Sequence, residues 1–127
     1  MKWIEADEIK EDLKHILSII DLSHVNLDKI SCYRTMGSTS RSYARIWAFP
    51  KIFQQALQIE PHYVIEVLSK YYDRLHPDEQ KKVLIHELLH IPKNFSGALV
   101  PHKTKTRSVT KLTNQLFKEY KKKIKDL

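Results

Sequence analysis

The chain has 127 residues, 42% of them apolar and 29% charged, with a net charge of +7 and an isoelectric point near 9.5. Length and composition fit one soluble globular domain with one modest core. The lone cysteine, Cys32, excludes an internal disulfide and a multi-cysteine metal site, so a metal would have to be held by His, Asp or Glu.

The first residues, MKWIEADEIKEDLK, contain no uncharged stretch of the kind a signal peptide needs. Apolar runs along the chain fall far short of the ~20 residues of a membrane span. A cytoplasmic location is expected, since a reducing compartment suits a single thiol. Ile9, Leu13, Ile16, Leu17 and Ile20 recur at helical spacing, with Asp7 and Glu8 where acids favour a helix start. They predict an amphipathic helix over 6–20, followed by a connector over 21–28.

Ile30 to Arg34 predicts a short strand, and the small polar stretch TMGSTSRS (35–42) a loop. Residues 43–49 carry apolar side chains on both faces, which predicts a buried strand. Pro50 suits the first turn of a short helix over 51–57. Tyr63, Ile65 and Val67 alternate with His62, Val64, Glu66 and Leu68, so 62–68 predicts another strand. Residues 70–76 predict a connector or an irregular turn. Pro77, Asp78 and Glu79 give a strong helix start, and Pro92 a stop. Residues 93–105, with Gly97 and Pro101, predict a loop. Val109, Leu112, Leu116, Tyr120 and Ile124 mark a closing helix that ends in the Lys-rich run 121–125. The order of elements predicts an α+β fold, a small sheet with helices packed on it, in one domain over 1–127.

The helix between Pro77 and Pro92 contains VLIHELLHIP, residues 83–92. His86 and His90 are four apart, which puts both imidazoles on one helix face, able to share one ion. Glu87 follows the first of them, so its carboxylate is placed to act as a general base toward water rather than as a ligand. The flanking Val83, Leu84, Ile85, Leu88, Leu89 and Ile91 are uncharged and predict a buried helix. Histidines in such a helix need partners. A catalytic zinc takes three protein ligands and leaves one position open. Gly97 permits the loop to double back and present His102 as the third ligand. Glu119, the only glutamate after the motif, is the competing candidate, and Asp126 lies too near the end. His15, His24, His62 and His76 predict structural or surface roles.

The same residues carry a family resemblance. VLIHELLHIP resembles the zinc-binding helix of zincin metallopeptidases. The wider stretch Ser42 to His102, about half of the chain, resembles small metallopeptidases of prokaryotes and phages, in which HELLHIP is followed by an FSG turn and a histidine. The layout is also similar to SprT-like proteases, which act on proteins crosslinked to DNA, and to minigluzincins. The resemblance implies zinc held by His86, His90 and His102, with Glu87 as general base. The chain departs from the metzincin pattern, since Lys93 stands where that pattern has glycine. It has no visible DNA-binding module.

The resulting expectation is a monomeric zinc peptidase acting on polypeptide, with no membrane association and weak, salt-sensitive nucleic-acid binding by the basic tail. Strand 62–68 is the expected platform for an extended substrate. Tyr63, Tyr71, Tyr72 and Arg74 are the expected sources of a further donor to developing charge. Two other readings stay open from sequence: a nucleic-acid-associated protein with a structural zinc, and a zinc amidase on a non-protein substrate.

Overall fold

A computed structural model describes residues 1–127. In chain order it contains β1 (Lys2–Glu5), α1 (Asp7–Ile19), a single 3-10 turn at Leu27–Lys29, β2 (Ile30–Met36), β3 (Ala44–Trp47) and α2 (Lys51–Leu57). Then come β4 (Tyr63–Leu68), α3 (Ser69–Tyr72), α4 (Pro77–Leu88) and α5 (Val109–Lys125). The four strands form one mixed sheet in the order β1-β2-β4-β3, with β2 and β4 parallel and both outer pairings antiparallel. The fold is α+β, as the element order predicts.

Alternation along the strands divides the side chains between two faces. Ile30 and Cys32 of β2, with Ile65 and Val67 of β4, face a helical layer. Ile9, Leu13 and Ile16 of α1, Leu84, Ile85 and Leu88 of α4, and Val109 and Tyr120 of α5 close that core. The opposite face carries no comparable cover. Trp3 and Trp47 stand on it 60% and 50% exposed.

Five features depart from the sequence reading. Strand β1 is not signalled by its four residues, because KWIE is too short for a periodicity and gains its place only by pairing with β2. Thr35 and Met36 belong to β2 rather than to the following loop. Ser69 to Tyr72 forms one regular turn of helix, where the sequence predicts a connector or an irregular turn. The 43–49 segment is not a buried strand: β3 covers only Ala44–Trp47, none of its residues is fully buried, and it forms the sheet edge. Its apolar side chains line clefts instead of a core. Finally, β4 is no edge. It pairs with β2 on one side and β3 on the other, so its backbone groups are spent and it cannot be the substrate platform.

Candidate metal centre

Helix α4 starts on His76, whose Nδ1 accepts from the Asp78 N–H at 3.1 Å, and Pro77 occupies the first turn with Asp78 and Glu79. Leu84, Ile85 and Leu88 anchor one face in the core. The other face turns His86 and Glu87 toward a cleft. Regular helix ends at Leu88, short of Pro92. Beyond it the His90 N–H donates to the Glu87 carbonyl and the Ile91 N–H to the Leu88 carbonyl, both at 3.1 Å, a tightened last turn that still carries His90 around to the His86 side. The Arg107 guanidinium donates to the Leu89 carbonyl at this end.

The chain then reverses. Phe95 and Gly97 both take positive φ, +47° and +92°. Phe95 packs edge-on against Tyr63 with ring centroids 4.9 Å apart. The Gly97 N–H donates to the Tyr63 hydroxyl, which donates to the Ala98 carbonyl, both at 2.8 Å. The returning strand of loop locks onto the end of α4: the Val100 N–H donates to the His90 carbonyl at 2.7 Å, and His90 Nδ1 donates to the Val100 carbonyl at 2.6 Å. Two residues later His102 arrives beside the helix.

His86, His90 and His102 each offer one ring nitrogen, and these atoms lie within 4.8 Å of one another. Ring centroids are 5.1 Å apart for His86 and His90, 5.2 Å for His86 and His102, and 4.4 Å for His90 and His102. Whether these residues suit a metal can be tested on their second nitrogens. His90 Nδ1 is committed to Val100. His86 Nδ1 lies 3.4 Å from the Thr113 hydroxyl, whose own proton goes to the Val109 carbonyl at 2.7 Å. Thr113 can therefore only accept from His86, which fixes the proton on His86 Nδ1 and leaves Nε2 bare. The donor set fits a divalent ion that prefers imidazole. Burial, then the neighbouring His90 and His102 rings, push the His86 pKa down to about 4, so the imidazole stays neutral. Burial pushes Glu87 up to about 7.

Glu87 faces two adjoining cavities, of about 510 and 280 Å³. The larger runs between α4 and α5 past Lys82, Thr113 and Asn114 to Tyr43; the smaller lies between His90, His102 and the Ala44 and Ile46 side of β3. Because the Leu68 N–H bonds the Tyr43 carbonyl at 2.9 Å, ladder alternation turns the backbone groups of Ala44 and Ile46 outward, where no protein group meets them.

The structure thus brings the three histidines together and leaves Glu119 outside, paired with Lys123 at 2.8 Å on α5. Tyr63, Tyr71, Tyr72 and Arg74 line neither cavity. Tyr63 is spent on the 97–98 turn. Tyr43 and Asn114 are among the neutral donors that do face the cleft, with the Ser42 and Thr110 hydroxyls, and sequence reasoning missed them, as it missed Thr113. Thr113 follows Val109 by four on α5, a spacing that puts it on the buried face. The other histidines hold structure: His15 bonds Tyr120, His24 the Ile91 carbonyl, and His62 Ser31.

A family model described as "Putative phage metallopeptidase" matches residues 1–126. The chain belongs to that phage metallopeptidase family. No curated protein and no solved structure matches it. Membership in a metallopeptidase family implies a metal and a polypeptide substrate, and the three-histidine cluster is consistent with a zinc site. No helix of this family member is long and apolar enough to cross a membrane.

Proposed function

We propose that the chain is a zinc-dependent peptidase, acting as one domain over 1–127, with His86, His90 and His102 as metal ligands and Glu87 as general base. The observation that carries this reading is the convergence of three imidazoles, two with their second nitrogen already committed, on the wall of a cleft that also holds a buried carboxylate.

The substrate platform is β3. An extended polypeptide can pair with the outward backbone groups of Ala44 and Ile46, which sets its scissile bond over the cavity shared by Glu87, His90 and His102. What the metal supplies when bound is Lewis acidity, which lowers the pKa of water to about 7 and polarises a carbonyl. Glu87 takes a proton from the attacking water as the oxygen–carbon bond forms. It delivers that proton to the departing nitrogen as the carbon–nitrogen bond breaks. Its burial excludes bulk water that would otherwise compete for the proton. Tyr43 and Asn114 are among the side chains available to stabilise developing negative charge, beside Ser42, Lys82 and Thr110. The buried thiol of Cys32, pushed up to about 11 by burial, is inert and suits a cytoplasmic protein.

The test is metal analysis of the purified chain, then cleavage of an unstructured protein with and without a chelator. One zinc per chain and chelator-sensitive cleavage are expected. Zinc-loaded protein that cleaves no polypeptide would overturn the reading.

A further inference from the structure

The outer face of the sheet is organised around a buried carboxylate that the metal centre does not use. Glu66 sits on β4, 2% exposed. One of its oxygens accepts from Arg45 Nε and Trp47 Nε1, each at 2.8 Å. The other accepts from Trp3 Nε1 at 3.2 Å and from the Thr35 hydroxyl. Four donors from three strands therefore meet on one side chain. Burying a charge costs several kcal/mol unless its partners are well placed, and an apolar residue at 66 would fill the space more cheaply. What the clamp achieves is position. It holds the chain's two tryptophans by their N–H edges and leaves their apolar faces toward solvent.

Between them lies a cavity of about 420 Å³, lined by Trp3, Tyr33, Trp47, Val64 and Glu66. A second recess of about 370 Å³ shares Trp47 and Val64 and continues to Phe49 and Ile59. The Phe49 ring lies 6.4 Å from that of Phe53 on α2, so the apolar surface runs without a break from β1 to α2. Helix α2 buries none of its residues. Ile52, Phe53 and Leu57 are 72%, 52% and 59% exposed. A helix with this composition in the open calls for cover.

We propose that this face is a homodimer interface, in which α2 of one copy seats against the tryptophan trough of a second copy and the reverse. Three observations select a second copy. The first is area. With a large side chain burying about 150–250 Å² when fully covered, the exposed fractions of Trp3, Trp47, Ile52, Phe53, Leu57 and Ile59 leave about 500–850 Å² of apolar surface in the open, a range that includes the ~800 Å² per partner of a stable interface. The second is shape. A ridge and a trough lie side by side on one surface, and a two-fold axis between them lets each fill the other in one closed contact. The third is charge. The clamp pairs its own ions, Arg45 with Glu66, and Lys29 at the neighbouring rim pairs with Glu60 at 3.2 Å. The net charge of +7 gathers instead on α5 and the loop before it, in the helical layer. Two copies meeting through their sheet faces keep those basic surfaces apart. A phosphate-bearing partner would find no free cation in the trough. The sequence reading expects a monomer, because nothing in the linear pattern reveals that these apolar residues stay uncovered. The rigid, pre-positioned indoles are the anchors such an interface uses.

The test is sedimentation equilibrium of the full zinc-loaded chain from about 0.1 to 100 µM, which spans dissociation constants from tight to weak association. The expected result is a concentration-dependent rise to twice 15.1 kDa. Since both tryptophans lie in the interface, their emission should shift to the red on dilution. Trp47→Glu and Phe53→Glu should each weaken association about tenfold or more. Phe53 lies on exposed α2, outside the clamp, so its variant keeps the test valid if Trp47→Glu disturbs folding. A monomer across the whole range overturns the proposal. So does a dimer that persists in Phe53→Glu and Trp47→Glu with unchanged circular dichroism, and so does an open-ended series of larger species.

Discussion

Replacing Gly97 with alanine is the sharpest perturbation of the loop that delivers His102. Gly97 has φ +92°, beyond the left-handed region that a side chain tolerates at a cost of about 1–2 kcal/mol. An added Cβ would stand 2.4 Å from the Phe49 carbonyl oxygen and 2.4 Å from Gln54 Nε2. The glutamine can swing away, but it then forfeits its bonds to the Phe49 and Ser96 carbonyls, both 2.8 Å, each worth about 0.5–1.5 kcal/mol. The backbone oxygen cannot swing. The loop itself must retreat by about 1 Å to reach ordinary contact distance, a shift that close-packed interiors transmit rather than absorb. Strain and lost bonds together give about 2–5 kcal/mol of destabilisation, a large share of a typical stability. The same retreat pulls Val100 away from His90 and carries His102 with it. Denaturant unfolding should show the stability loss, and chelator competition should show zinc affinity reduced about tenfold or more. Wild-type affinity in a folded Gly97→Ala protein would refute the link between this turn and the metal centre.

Other outcomes follow from single contacts. His102→Ala should lower zinc retention sharply while Glu119→Ala leaves it unchanged, as elemental analysis would read; the opposite pattern would reassign the third ligand. Thr113→Val should weaken zinc about 10–100-fold by freeing the His86 ring, with Thr113→Ser restoring most of it; an unaffected valine variant would remove Thr113 from that role. Glu66 carries a pH signature. Burial raises its pKa, but the bonds from Thr35, Trp47 and Arg45 outweigh that and hold it below the usual carboxylate value. The contribution of a carboxylate so lowered is fully present above about pH 4.3 and is lost as pH falls through the folded pKa. Wild type should thus lose stability to acid more steeply than Glu66→Gln, which should itself be about 1–3 kcal/mol less stable at neutral pH; parallel acid slopes for the two would contradict the clamp.

Much of the three-histidine cluster was legible in the sequence because its determinants are local. Pro77, Asp78 and Glu79 start α4, and the spacing of His86 and His90 follows from helix geometry alone. The glycine at 97 marks a reversal that only backbone freedom permits. The misreadings share a different cause. Strand β4 precedes α4 in sequence, which suggested it as the platform, yet β4 inserts between β2 and β3 and loses both edges. The apolar faces of β3 suggested burial, but they serve the cleft on one side and the tryptophan trough on the other. Glu66 drew no role from the sequence beyond its place in the strand alternation, because its four donors come from residues 19 to 63 positions away. Contacts at such separation leave no periodic trace.

The central claim is that Glu87 moves the proton during peptide hydrolysis at a zinc held by three histidines. It is tested most directly by cleavage of an unstructured protein by zinc-loaded wild type and zinc-loaded Glu87→Gln in parallel. The amide is nearly isosteric and cannot take a proton, so Glu87→Gln should bind one zinc per chain as wild type does and lose at least about 100-fold in kcat. Zinc-loaded Glu87→Gln that turns over within a few-fold of wild type would contradict the claim.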